Sequence, residues 1–252
     1  MSANRPFVLT IAGFDPSAGA GVLADVKTFE QHRVHGFAIN TGNTIQTENE
    51  FVEMQWTDLN FVLKSLEKLF KSYSIKAVKI GIVPSLSYLQ SIVIAIKKLS
   101  PKTKIVWDTV LKSTTEFDFL TLENRFDLME ILKKIDLITP NYNEMQQLFP
   151  DYNSPLLWRK AENTASILLK GGHNPEEIGL DYLFLKNEIF SLSPSNDATK
   201  IFEKHGSGCV LSSSITANLA LGQDLKAACI NAKKYIETHL QSNSTKLGHH
   251  HA

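Results

Sequence analysis

The chain has 252 residues, 43% apolar and 21% charged, and its 26 Lys+Arg balance its 26 Asp+Glu. That length suits one domain of the larger kind with a sizeable core, and zero net charge argues against a nucleic-acid or membrane-surface partner. Two cysteines, Cys209 and Cys229, exclude a disulfide framework. The lead-in to Phe7 is too short for a signal peptide and no apolar run reaches about 18 residues, so a soluble cytoplasmic protein is expected.

Phe7 to Ala12 is a continuous apolar run stopped by Gly13, as in a strand buried on both faces. A turn rich in Gly, Ser and Pro follows over Asp15–Gly21, then a helix with Val22, Val26 and Phe29 at helical spacing. A short strand is expected at Phe37–Thr41. The stripe Leu59, Val62, Leu63, Leu66, Leu69, Phe70 predicts a helix, and Lys76–Ile80 a strand ending at Gly81. Leu86 to Leu99 reads as a helix, Lys104–Trp107 as a strand ending at Asp108, and Leu122–Lys133 as a helix. Strand Leu137–Thr139 is closed by Pro140; Asn143–Phe149 is a short helix, and Ala165–Lys170 a strand before Gly171-Gly172. A hairpin is expected around Lys186-Asn187. Two helices finish the chain, Gly208–Leu221 and Asp224–Leu240.

Such repeated alternation of strand and helix implies parallel βαβ units covered on both faces. Ligands of such sheets bind beyond the carboxyl ends of the strands. Asp15, Gly81, Asp108, Asn141 and Gly171 all follow strand ends and should therefore crowd one rim. No repeat or linker divides the chain, so residues 1–252 are read as a single domain.

His205-Gly206-Ser207-Gly208-Cys209 leads into a helix, where glycines allow close approach and free N–H groups attract an anion. A thiolate at such a position would share that stabilisation. Read alone, the same residues are equally a loop with Cys209 as packing. Gly19-Ala20-Gly21-Val22-Leu23-Ala24 matches a dinucleotide fingerprint, but its glycines come late after the strand and no acid follows at the required place. Asn141 and Glu144 serve either as a helix cap or as oxygen donors to a Mg²⁺–nucleotide. Lys170-Gly171-Gly172-His173 suits a polyphosphate, and a surface loop explains it equally well. Cys229 reads as packing, and His249-His250-His251 as a terminal tract or cloning remnant.

Taken together, these stretches resemble hydroxymethylpyrimidine/phosphomethylpyrimidine kinases. The resemblance is carried by Thr10 to Phe29, Lys79-Ile80-Gly81, Asp108-Thr109-Val110, Ile138-Thr139-Pro140-Asn141 with Glu144, Lys170-Gly171-Gly172-His173 and His205 to Cys209. It implies a ribokinase-like α/β/α sandwich with a mostly parallel central sheet. It also implies phosphorylation of 4-amino-5-hydroxymethyl-2-methylpyrimidine to the monophosphate, then the diphosphate, for thiamine biosynthesis with ATP and Mg²⁺. By resemblance Asp25 and Gln46 hydrogen-bond the aminopyrimidine, Gly13 gives the ring backbone access, and Cys209 is the base. Gly206, Ser207 and Gly208 form the anion hole, and His205 lies on the nucleotide side. Lys170 meets ATP phosphates, while Asp108, Asn141 and Glu144 serve phosphates and metal. A homodimer is implied too.

The chain departs from the pattern in the loop Leu111–Glu116, in a stub helix near Leu156–Ala161, and at Glu203-Lys204, where Asn-Thr is usual. Pyridoxal kinase of the same fold is the nearest alternative. A regulatory binder without turnover and a dinucleotide oxidoreductase are more distant ones.

Overall fold

The computed structural model describes residues 4–112, 119–120, 125–150, 164–172, 178–186, 188–194 and 201–250. The first half of the chain runs β1 (Phe7–Phe14), α1 (Gly21–Gln31), β2 (His35–Gln46), β3 (Phe51–Trp56), α2 (Leu59–Ser72), β4 (Ile75–Ile80), α3 (Leu86–Leu99) and β5 (Lys104–Trp107). The second half runs α4 (Arg125–Leu132), β6 (Leu137–Ile138), α5 (Tyr142–Leu148), β7 (Ser166–Leu169), β8 (Asp181–Leu185), β9 (Glu188–Leu192), α6 (Ser207–Ala220) and α7 (Leu225–Gln241).

One sheet in the order β3-β2-β1-β4-β5-β6-β7-β8-β9 carries them all. The strands from β2 to β7 are parallel, with antiparallel β3 on one flank and β8–β9 on the other. Because side chains alternate along a strand, β4 sends Val78 and Ile80 into one core and Ala77 into the other. Helices α2 to α5 pack over the first core around Leu66, Leu89, Ile92 and Trp107. Helices α1, α6 and α7 enclose the second, around Phe29, Val210, Ile215 and Cys229. This is the three-layer sandwich that the resemblance implied.

Side-chain caps anchor α2 through Asp58, α3 through Ser85 and α7 through Asp224, while Asn141 and Glu144 form a reciprocal capping box on α5. Helices α1 and α6 have no side-chain cap. Both open toward the carboxyl rim of the sheet.

Several boundaries differ from the sequence expectation. Strand β2 runs on to Gln46 and pairs with β3, which hydrophobic patterning did not predict. Val52, Met54 and Trp56 alternate with Glu53 and Gln55 along this edge strand, but no β3 residue is buried, so the pattern lies outside the core that marks the other strands. The expected stub at 156–161, residues 113–116 of the departing loop and the start of the helix expected from Leu122 lie outside the described residues.

Leu89 is fully buried between α3 and the sheet. Leu89→Ala should therefore lower unfolding free energy by about 2–5 kcal/mol, measured by urea denaturation with an unchanged m-value.

Candidate active site

Two glycine turns press together at the rim. In the first, Asp15 accepts from Ser17 N at 2.9 Å, Ser17 Oγ at 2.8 Å and Ala20 N at 2.9 Å. It also meets His205 Nε2, from the second turn, at 2.9 Å. Gly206 has φ 73° and immediately precedes α6; a Cβ there would collide with the Gly19 carbonyl. Gly21, at φ 60°, likewise lies against the Gly13 carbonyl. The uncapped amino ends of α1 and α6 thus meet, and a backbone hydrogen bond from Gly21 reaches Cys209.

Beneath this junction lies a buried ion pair. Asp25 and Lys79 are both fully buried and bonded to each other. Thr10 Oγ1 donates to Asp25 Oδ2 at 2.5 Å and Ser213 Oγ to Oδ1 at 2.6 Å, while Lys79 Nζ also reaches the Cys209 carbonyl at 3.4 Å. Burial opposes the Lys79 charge, yet Asp25, with Cys209 and Asp108 nearby, holds the ammonium above its ordinary range. Asp25, expected to hydrogen-bond the aminopyrimidine, lies beneath the rim with these three side-chain partners. Both its oxygens are taken up inside the protein, and none of its surface is exposed. Gly13, expected to give the ring backbone access, is buried beside Ile82, whose Cδ1 lies 2.5 Å from where a Cβ would be.

A second charged group forms the wall. Asp108 is fully buried and accepts from Thr139 Oγ1 at 3.1 Å, Ser212 Oγ at 3.0 Å and Lys170 Nζ at 3.3 Å. Burial would raise its carboxyl, but Lys170, Lys79 and the two hydroxyls hold it below the ordinary carboxylate value. Lys170 also stands 3.9 Å from Glu144 Oε2, and Thr109 Oγ1 donates to the same oxygen at 3.3 Å. Burial raises the Glu144 carboxyl, with Lys170 opposing and Asp108 adding to the effect. The wall and the glycine turn share one cleft: a Cβ at Gly208 would stand 3.3 Å from Lys170 Nζ and 3.9 Å from Asp108 Oδ2.

A family model described as phosphomethylpyrimidine kinase matches residues 15–252. The chain belongs to that family. A hydroxymethylpyrimidine/phosphomethylpyrimidine kinase of Aquifex aeolicus is 34% identical over 251 residues, covering 95% of this chain and 96% of that protein. The crystal structure of phosphomethylpyrimidine kinase from Clostridium difficile 630 superposes with a TM-score of 0.76 at 30% identity, covering 92% of this chain and 98% of that one. An ADP complex of Bacillus subtilis pyridoxal kinase gives 0.76 at 25% identity, covering 94% and 92%.

Of the residues expected to serve a phosphomethylpyrimidine kinase, Gly206, Ser207, Gly208, Cys209, Lys170, Asp108 and Glu144 gather at this cleft. Asn141 pairs with Lys170 in an isolated bridge and caps α5. Gln46 is half-buried where β2 extends past the rim, in the β2–β3 hairpin, which meets Phe119 through Phe51 and Trp56. His205 was expected on the nucleotide side, but its Nε2 points into the Asp15 turn. His173 lies outside the described residues.

The thiolate stabilisation expected from the helix end is outweighed. Burial pushes the Cys209 thiol up to about 11, with Lys79 opposing and Asp108 and Asp25 contributing. His249 N donates to Ser242 Oγ at 2.9 Å, and His250 Nδ1 lies 2.9 Å from Tyr235 OH. Sequence reasoning quoted Lys79 but assigned it no role. The available signal was a lysine inside the apolar strand Ala77-Val78-Lys79-Ile80, because a charge in a strand covered on both faces must be paired.

Lys79→Met strands a buried carboxylate and should cost about 3–5 kcal/mol in chemical denaturation. Asp25→Leu/Lys79→Met removes both charges and should recover most of that loss.

Proposed function

We propose that this kinase phosphorylates 4-amino-5-hydroxymethyl-2-methylpyrimidine on its hydroxymethyl oxygen and then phosphorylates the monophosphate to the diphosphate, with ATP as donor. The observation that carries this reading is the shared cleft, in which Lys170, Asp108 and the glycine-opened end of α6 converge beside Cys209. Phosphoryl transfer needs positioning and charge neutralisation more than covalent help. The family match and the Aquifex relative favour the pyrimidine over pyridoxal.

Backbone N–H groups of Gly206, Gly208 and Cys209 face the transferring phosphoryl group, with Ser207 N tied to the Lys204 carbonyl, and Lys170 draws the phosphate oxygens toward the same point. The donor set also fits Mg²⁺. Asp108 and Glu144 are buried carboxylates on either side of Lys170, and Mg²⁺ takes one or two carboxylates along with phosphate oxygens and water. When bound, the metal neutralises phosphate charge. Asn141 places Glu144 through the capping box, and the Gln46 amide matches the donor and acceptor edge of the aminopyrimidine. Asp25 and His205 support the site from beneath and behind: one holds Lys79, the other holds the Asp15 turn.

A homodimer and a cytoplasmic location complete the proposal, with residues 1–252 acting as one kinase domain. Among the described residues no helix is long and apolar enough to cross a membrane. Incubation with the pyrimidine alcohol and Mg-ATP, with the mono- and diphosphates separated, tests the reading. Pyridoxal turned over faster than the pyrimidine would replace it with the alternative.

A thiol near 11 is protonated at neutral pH, and its thiolate fraction rises about tenfold per pH unit below that value. If Cys209 takes the alcohol proton, kcat/KM for the first step climbs between pH 7 and 9. Cys209→Ala then abolishes the climb and lowers that step by about 10²–10⁴-fold. The second step starts from an already ionised phosphate and should lose far less. Equal losses in both steps would remove the base role. Gln46→Ala should raise the pyrimidine KM by about tenfold, as expected for loss of buried hydrogen bonds, and leave the KM for ATP unchanged in steady-state assays.

A further inference from the structure

The segment after α7 folds back onto the turn that opens α6. Its own turn is built around Asn243, whose Oδ1 accepts from Thr245 N and Thr245 Oγ1, each at 2.9 Å. Asn243 Nδ2 donates to the Leu247 carbonyl at 3.0 Å. Lys204 inserts its ammonium into that turn. Nζ reaches Asn243 O at 2.5 Å, Thr245 O at 2.6 Å and Asn243 Oδ1 at 3.2 Å, and the residue is only 3% exposed. An ammonium has three protons to place, and here three uncharged oxygens accept them.

The neighbouring contacts run straight into the glycine turns. His205 N donates to Lys246 O at 2.9 Å, and Ser207 N, at the start of α6, donates to Lys204 O at 3.3 Å. Leu247 lies over Gly19, its Cδ2 2.8 Å from where a Cβ would be, beside the His205 ring. Residues 204 and 205 are therefore bonded to the tail on one side and lead directly into left-handed Gly206 on the other. Lysine stands here in place of the threonine usual in the resemblance, so the tie is built from this chain's own departure.

We propose that Lys204 is a positioning residue for phosphoryl transfer, its ammonium strapping the 243–247 turn across both glycine turns so that the amides of Gly206, Gly208 and Cys209 are held in place. The inference rests on reading those amides as the phosphate cradle. Glycine turns have many accessible conformations, and each must be suppressed before their N–H groups can converge on one point. An aliphatic side chain at 204 leaves the turn's oxygens without their shared donor in a water-poor place, and the strap loosens.

The test uses full-length Lys204→Met and Leu247→Ala, assayed well below their unfolding temperatures, with hydrogen exchange read at His205 to Gly208. Lys204→Met should raise the KM for ATP and lower kcat, each by about tenfold, leave the pyrimidine KM unchanged and speed exchange of those amides. Leu247→Ala should shift the same quantities in the same direction by less, and it decides alone if Lys204→Met does not fold. Gly206→Ala separates the two ideas: full turnover in that variant would overturn the cradle itself. Loss of turnover in Gly206→Ala, together with wild-type ATP KM and kcat in the strap variants, would overturn the strap alone.

Discussion

Asp25 and Lys79 meet in full burial between α1 and β4, directly below the first turn of α6. Two charges removed from water are costly, and their attraction compensates only when the remaining lone pairs and protons are also satisfied. Thr10 on β1, Ser213 on α6 and the Cys209 carbonyl complete that set. One ion pair thereby ties β1, β4, α1 and α6 at a single level. The glycine-opened end of α6 stands on it, so the height and direction of the Cys209 backbone follow from a buried charge pair.

The cleft above is electrostatically arranged around a second lysine. Lys170 sits between Asp108, held ionised by its neighbours, and Glu144, whose carboxyl burial pushes upward. Such a group gains from additional positive charge beside the carboxylates and from anionic oxygens in front of the lysine and the α6 amides. A metal-bound polyphosphate carries both. The buried hydroxyls of Ser212, Ser213 and Thr139 have a related part, since each donates to a carboxylate in the apolar surroundings of a covered sheet.

The rim is stiffened from outside as well. His205 and Asp15 clasp the two glycine turns together, while Lys204 and Leu247 bring the tail of the chain over them. Where glycine provides close approach it also adds conformational freedom, and side chains from distant segments remove that freedom.

Much of this could be read from residue order. Apolar runs ending in Gly, Asp or Asn placed the parallel strands and a rim that holds Asp108 and Gly171, and the family resemblance brought Lys170 and the Gly206–Cys209 turn to it. Local signals sufficed because strand length, turn chemistry and helix caps act over a few residues. The partners of Asp25, the direction in which His205 points, the rise in the Cys209 thiol and the place of Lys204 were decided by tertiary structure alone. Each depends on which groups separated by 15 to 190 positions meet, and on how little water remains around them. A sequence names the charges; only packing determines which are buried together and which remain open to a ligand.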